Sequence, residues 1–177
     1  MAIHHHLAAL EIRHAFGGAL ALAYYAEPRG TIDVDVNVFV SFESAEEIVQ
    51  SIEELGFVPE RPSEDWVPVA GVRLVRGGEP PLLDLFFSLD ERYDEIARRV
   101  RHFPFGSDGL ELPFLSAEDL VLFKLSFGRD KDWVDLQSLV TSSSELDVEY
   151  IERQLVGLRG PTMYPRLARL RRLIREG

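Results

Sequence analysis

There is no cysteine anywhere in the 177 residues. Disulfide bonds and thiolate metal sites are therefore excluded, and a reducing, cytoplasmic setting fits. Long hydrophobic runs are missing too. No apolar stretch approaches the roughly 18 residues that a membrane span requires, and the chain does not open on the basic, apolar, small-residue pattern of a secretory signal. The expectation is a cytoplasmic protein with no membrane partner. Positive charge is scarce, 19 Lys+Arg against 30 Asp+Glu, and what there is lies unevenly. From Ile151 to Gly177 seven arginines face two glutamates, a net of +5, which leaves −16 on residues 1–150 of a chain whose total is −11. An acidic body with a basic tail offers two different surfaces. Either the tail packs on the acidic body of its own chain, or it meets RNA.

What remains is an ordinary globular composition, 46% hydrophobic and 28% charged. It is long enough for one core, or for one domain with a small helical appendage. Histidine carries no functional signal: His4, His5 and His6 crowd the start, and His14 and His102 stand isolated.

The most informative stretch runs from Gly17 to Val40. A glycine pair, Gly17 and Gly18, leads into an alanine- and leucine-rich helix that must end near Pro28, since proline cannot continue the hydrogen-bond ladder. The strand after it alternates strictly, with Ile32, Val34, Val36 and Val38 on one face and Asp33, Asp35 and Asn37 on the other. Carboxylates at i and i+2 on a strand have Cα atoms roughly 6.6 Å apart. That spacing lets both grip one divalent cation, or a pair of ions about 4 Å apart. Aspartate is disfavoured in strands, so two on one short strand require a reason, although a half-solvated acidic edge would also produce the pattern. Residues 80–88 read as another strand, with Asp84 its only charge. A lone carboxylate there must meet a cation or hydrogen-bond donors to offset desolvation. Asp33, Asp35 and Asp84 on neighbouring strands would form a hard-oxygen site suited to Mg²⁺ (or Mn²⁺).

Elsewhere the periodicity predicts the end of a helix over 7–13, a strand over 14–16, and a helix over 45–55 capped by Ser44 and closed by Gly56. It gives a loop over 57–65, one or two strands over 67–75, and a turn at Gly77-Gly78. An amphipathic helix over 90–101 and a hairpin over 103–115 follow. From Ser116 onward four helices follow, the later three over 132–140, 148–158 and 161–175. The fold class is α/β (α+β), a small mixed sheet with flanking helices and a C-terminal helical part. The boundary falls near residue 115, dividing a core of residues 1–115 from a helical subdomain of residues 116–177.

Gly17-Gly18, a helix, Arg29-x-Thr31-x-Asp33-x-Asp35 and the later Asp84 together resemble the DNA polymerase β-like nucleotidyltransferase superfamily. Within it, the arginine and threonine ahead of the aspartates are similar to the small bacterial group that includes AbiEii-like and MenT-like toxins. The resemblance spans about Leu7 to Val140, and the chain is shorter after residue 115 than larger AbiEii-like proteins. It implies an enzyme that transfers NMP from an NTP with Mg²⁺ held by Asp33, Asp35 and Asp84. Asp84 would also help to deprotonate the attacking hydroxyl. Gly17 and Gly18 would let the backbone approach the phosphates, and Arg29 and Thr31 match a basic and a hydroxyl position of the group. The run from Lys124 through Arg129, Lys131, Asp132 and Asp135 looks like the group's lysine-then-Asp-x-x-Asp pattern. Asp132 and Asp135, three apart on a helix, would hold Lys124 or Arg129 toward the nucleotide. Alternatively Asp132 is a helix cap and Lys124 snorkels to water. Phe127 and Trp133 read as core. The acceptor implied is the 3′ end of tRNA, with a cognate antitoxin as partner. The alternatives are transfer to a protein or to a small molecule such as an aminoglycoside, or a non-catalytic domain that binds a nucleotide or partner.

Overall fold

The structure, a computed structural model, describes residues 1–107, 109–142 and 146–176. Its strands are β1 (His14–Phe16), β2 (Asp33–Ser41), β3 (Val58–Pro59), β4 (Val72–Arg76), β5 (Glu79–Ser88), β6 (Arg101–Phe105) and β7 (Leu110–Phe114). Its helices are α1 (Ala2–Ala9), α2 (Gly18–Leu22), α3 (Ala45–Glu53), α4 (Tyr93–Arg98), α5 (Ala117–Phe127), α6 (Asp130–Ser142), α7 (Val148–Arg159) and α8 (Tyr164–Glu176). Among the described residues the strands form one sheet in the order β3-β4-β5-β2-β1-β7-β6. The sheet is mixed: β2 runs parallel to β5 and β1 parallel to β7, and the other neighbours are antiparallel. No helix among these residues is long and apolar enough to cross a membrane.

Alternation along β2 and β5 makes the sheet two-faced. Val36, Val38, Leu83, Leu85 and Phe87 bury one face in a cluster with Ile48, Val49 and Ile52 of α3. The same cluster continues through Leu120, Leu125, Leu136, Ile151 and Leu167, so one core ties the sheet to the later helices. The opposite face of β2 and β5 carries the aspartates, because a side-chain period of two leaves them no other side. At the start of α5, Ser116 caps the helix: its hydroxyl accepts from the Asp119 N–H at 3.2 Å and donates to Asp119 Oδ2 at 2.5 Å. The Tyr150 hydroxyl donates to the other Asp119 oxygen at 2.5 Å, which docks α7 onto α5. Burial outweighs these bonds and raises the Asp119 carboxyl to about 6.

The mixed α/β class is the one the sequence leads to, and several element limits differ. The first helix ends at Ala9, ahead of a turn in which Glu11 adopts φ +57°. The helix after the glycine pair stops at Leu22 rather than near Pro28. There the Tyr24 and Tyr25 hydroxyls reach out to the carbonyls of Pro104 and Leu115, and the chain turns to follow them. Ser44 makes no capping bond; the Ser41 hydroxyl accepts from the Glu43 N–H instead, capping a 3-10 turn that precedes α3. The 57–65 loop contains the short β3 and a 3-10 turn over Ser63–Asp65. The helix expected over 90–101 is only α4, and its last residues join β6. The β6–β7 hairpin is present, with Asp108 of its turn outside the described residues. Asp132 is not the cap of α6 but lies in its first turn, reaching back to accept from the Arg129 N–H at 3.0 Å.

Candidate active site

The register of three adjacent strands assembles the site. Asp35 on β2 lies opposite Asp84 on β5, which lies opposite Arg73 on β4, and Asp33 is two residues along β2. All four point to the face away from α3. Asp35 packs directly under the glycine pair. A Cβ on Gly18 would fall 1.8 Å from Asp35 Oδ2, and Gly18 sits at φ +55°, a conformation that favours glycine. A Cβ on Gly17 would fall 3.0 Å from Asn37 Nδ2. The Gly17 N–H donates to the Asp35 carbonyl at 2.9 Å. That amide is therefore committed to β2 rather than free for a phosphate, which limits the expected approach of the glycine backbone to the phosphates. We expect Gly18→Ala to cost about 1 to 3 kcal/mol and to reduce activity by displacing Asp35. Thermal unfolding and turnover of the same variant check this.

Burial, then the neighbouring Asp84 and Asp33 charges, push the Asp35 carboxyl up to about 6. Among the described residues Asp35 makes no ion pair. Asp84 differs. Arg73 donates from Nε to Asp84 Oδ1 at 2.7 Å and from Nη2 to Asp84 Oδ2 at 2.6 Å, and the same Nη2 is 3.8 Å from Asp33 Oδ1. The hydrogen bond to Asp84 raises the Arg73 pKa still further. As they stand, no three acidic or histidine side chains among the described residues converge tightly enough to hold an ion. The expected Asp33–Asp35–Asp84 metal triad is thus altered by a fourth member, Arg73, which occupies both oxygens of Asp84. The donor set still fits a hard divalent cation. It is all carboxylate oxygen, and Asp35 is a largely buried carboxylate short of positive charge.

Across the cavity stands a cationic wall. Asp135 of α6 accepts from Lys124 Nζ at 2.5 Å and from Arg29 Nε and Nη2 at 2.8 and 2.9 Å. Burial pushes Asp135 upward, but the bonds from Arg29 and Lys124 outweigh it and hold its carboxyl below the usual range. Asp132 in turn accepts from Arg129 Nε at 2.8 Å and Nη2 at 3.1 Å. The two aspartates thus hold different cations, Asp135 taking Lys124 and Arg29 and Asp132 taking Arg129. Lys124 is 5% exposed, so it does not snorkel to water. The Thr31 hydroxyl is turned on the Asp33 backbone, accepting from its N–H and donating to its carbonyl, both at 3.1 Å.

These groups surround a cavity of about 420 Å³. Gly18, Arg29, Thr31, Asp33, Asp35, Asp84, Lys124, Lys131 and Asp132 line it; Gly17 and Asp135 stand behind the lining. Trp133 is buried under the Arg169 guanidinium, 3.8 Å from its ring centre. Phe127, expected in the core, lines the cavity and lies 5.7 Å from Phe86, which lines it too. Arg73, Phe86 and the 60–71 segment with Glu60, Asp65 and Trp66 were not anticipated. A charged residue between the buried Val72 and Leu74 was the available signal for Arg73.

No family model and no curated protein sequence matches the chain, but solved structures do. Its fold is that of the nucleotidyltransferases. The antibiotic-resistance factor ANT(2'')-Ia superposes with a TM-score of 0.60 at 19% identity, covering 94% of this chain and 91% of that one. Its crystal structure with adenylyl-2''-tobramycin gives 0.59 at 18%, covering 90% and 94%. The lincomycin-bound lincosamide antibiotic adenylyltransferase LnuA gives 0.54 at 14% identity, over 77% of this chain and 91% of that one. An antigenic nucleotidyltransferase-like protein from Paracoccidioides brasiliensis gives 0.53 at 16%, over 94% and 89%.

Proposed function

We propose that this chain is an enzyme that transfers a nucleoside monophosphate from an NTP to an acceptor hydroxyl. The observation that carries the proposal is the polarity of one cavity, with Asp33, Asp35 and Asp84 on the sheet side and Lys124, Arg129 and Lys131 on the helical side. In this reaction a bond forms from the acceptor oxygen to the α-phosphorus as the bond to pyrophosphate breaks. Asp33 and Asp35 would hold Mg²⁺ (or Mn²⁺), which when bound supplies charge stabilisation at the attacking and leaving oxygens. Lys124 and Arg29, fixed by Asp135, meet the triphosphate charge. Gly18 leaves room for the Asp35 carboxylate against the backbone at the start of α2. The acceptor hydroxyl gives up its proton as it attacks, and Asp84, once free of Arg73, would take it. Residues 1–115 serve as the nucleotidyltransferase core, and 116–177 as a helical subdomain that supplies the cationic wall.

For the acceptor we infer the 3′ end of tRNA, in a toxin of the AbiEii-like and MenT-like kind held in check by a cognate antitoxin. Helix α8 favours this reading. Its Arg166 binds the carbonyls of Leu125 and Ser126 beside the cavity wall, and Arg169, Arg172 and Arg175 are exposed beyond it. The tail is partly spent on its own chain, through Arg153 on Glu95, Arg166 on the two carbonyls, Arg169 on the Trp133 ring and Arg171 on Glu152. A second reading is favoured by the opposite rim, where Glu60, Asp65 and Trp66 suit a cationic small molecule. Its support includes the aminoglycoside product in the ANT(2'')-Ia complex and the near-equal chain length. The test is a labelling panel of purified protein with Mg²⁺ and each α-labelled NTP, offered total tRNA in one arm and aminoglycosides in the other. Label on tRNA supports the first acceptor. Label on the aminoglycoside replaces it with the second, and label on neither overturns both.

A further inference from the structure

Arg73 stands inside the site, and its placement carries an inference that rests on the nucleotidyl-transfer reading above. Asp35, Asp84 and Arg73 form a row across β2, β5 and β4, with Asp33 beside them on the same face. The guanidinium meets both oxygens of Asp84, at 2.7 and 2.6 Å, in the fork-to-fork geometry that makes the strongest charge-assisted bonds. A carboxylate gripped in this way has few lone pairs left for a metal ion or a substrate proton. Yet the Arg73 side chain is 40% exposed, whereas that of Asp84 is 16% exposed, so it is the arginine that has room to leave. It already leans toward a second anion, with Nη2 3.8 Å from Asp33 Oδ1.

We propose that Arg73 is a displaceable internal counter-ion. It holds Asp84 while the cavity lacks nucleotide and cation, and it releases Asp84 when an incoming triphosphate offers the guanidinium other anionic oxygens. The site then admits a divalent cation together with its nucleotide rather than alone. Asp84 is withheld from chemistry until the substrate has arrived. In this scheme Arg73 acts on the reaction through Asp84, and on the nucleotide through the triphosphate oxygens it takes in exchange.

The test is a Mn²⁺ titration followed by electron paramagnetic resonance, without nucleotide, on the wild-type chain, Arg73→Gln, Asp84→Asn and the double variant. Arg73→Gln is expected to bind Mn²⁺ about tenfold more tightly than wild type, because a positive charge beside the carboxylates has gone. Asp84→Asn is expected to cancel that gain. In parallel, the rise in Tm on adding Mn²⁺ should be larger in Arg73→Gln than in wild type. Unchanged or weaker Mn²⁺ binding in Arg73→Gln overturns the proposal and makes Arg73 a strut between β4 and β5. A gain that survives Asp84→Asn overturns it too. If Arg73→Gln does not fold, Arg73→Lys decides, since it keeps the charge and loses the fork: a gain of about two- to threefold supports the proposal, and none overturns it. Failure of the transfer reading shows up separately, as no NMP transfer by the wild-type chain, and leaves the Mn²⁺ comparison to stand on its own.

Discussion

Asp35→Asn is expected to lower nucleotidyl transfer by at least about 10³-fold while making the metal-free protein more stable. Both effects come from one cause. Asp35 is raised to about 6, first by burial and then by the Asp84 and Asp33 charges. A carboxyl whose folded-state pKa lies above its unfolded value of 3.8 binds protons more tightly when folded. Its ionisation therefore weakens the fold as pH rises from about 4 to about 6. Above that window the ionised group costs about 3 kcal/mol, which asparagine removes at nearly the same volume. The variant should thus gain stability relative to wild type at pH 7 to 8, and the gain should vanish near pH 4. Urea unfolding of both proteins across that range measures it. A variant that is inactive and also less stable at pH 8 would mean that Asp35 is a structural acceptor. Asp33→Ala is expected to lose activity as well, with little change in stability.

The largest stability effect is expected at Asp135. Its side chain is 2% exposed and serves Lys124, itself 6% exposed, together with Arg29. Asp135→Ala leaves the Lys124 ammonium buried without its carboxylate partner, and removing one member of a buried ion pair costs about 3 to 5 kcal/mol. For a chain of this size that lowers Tm by roughly 10 °C. Activity falls as well, because the cationic wall loses its anchor. Structural and functional losses separate in the double variant Lys124→Met/Asp135→Leu. Apolar replacement of both partners restores stability, and it leaves transfer defective. If the double variant recovered transfer along with stability, Lys124 would have no role beyond packing.

Much of the layout of this face is legible in the sequence. Strict alternation on β2 sends Asp33 and Asp35 to one face, and the apolar run around Asp84 makes it a strand residue that needs a partner; both inferences use only a period of two. The i,i+3 spacing of Asp132 and Asp135 places both on one helical face, and the structure allots them different cations. Arg73 was less accessible. A two-residue turn at Gly77-Gly78 would put it opposite Leu82, but a bulge between Leu74 and Arg76 shifts the register so that it meets Asp84. A bulge has no reliable mark in a single sequence, although the shift preserves which face the side chain takes. Helix α2 ended early for a similar reason. Propensity favours helix through Ala23 and Ala26, and the tertiary bonds of Tyr24 and Tyr25 override it. The glycine pair was read as a turn for phosphates. What the structure places against Gly18 is the Asp35 carboxylate, a contact between segments that no local pattern encodes.

The central claim is that the face bearing Asp33, Asp35 and Asp84 binds a nucleotide together with a divalent cation. The most direct measurement is a nuclear magnetic resonance titration of the ¹⁵N-labelled chain with a non-hydrolysable NTP analogue, first with Mg²⁺ and then with Mn²⁺. The account predicts binding that depends on the cation. It also predicts paramagnetic broadening centred on the amides of residues 33–37 and 83–85, and loss of both in Asp35→Asn. Nucleotide binding that is indifferent to the cation, or broadening centred elsewhere in the chain, would contradict it.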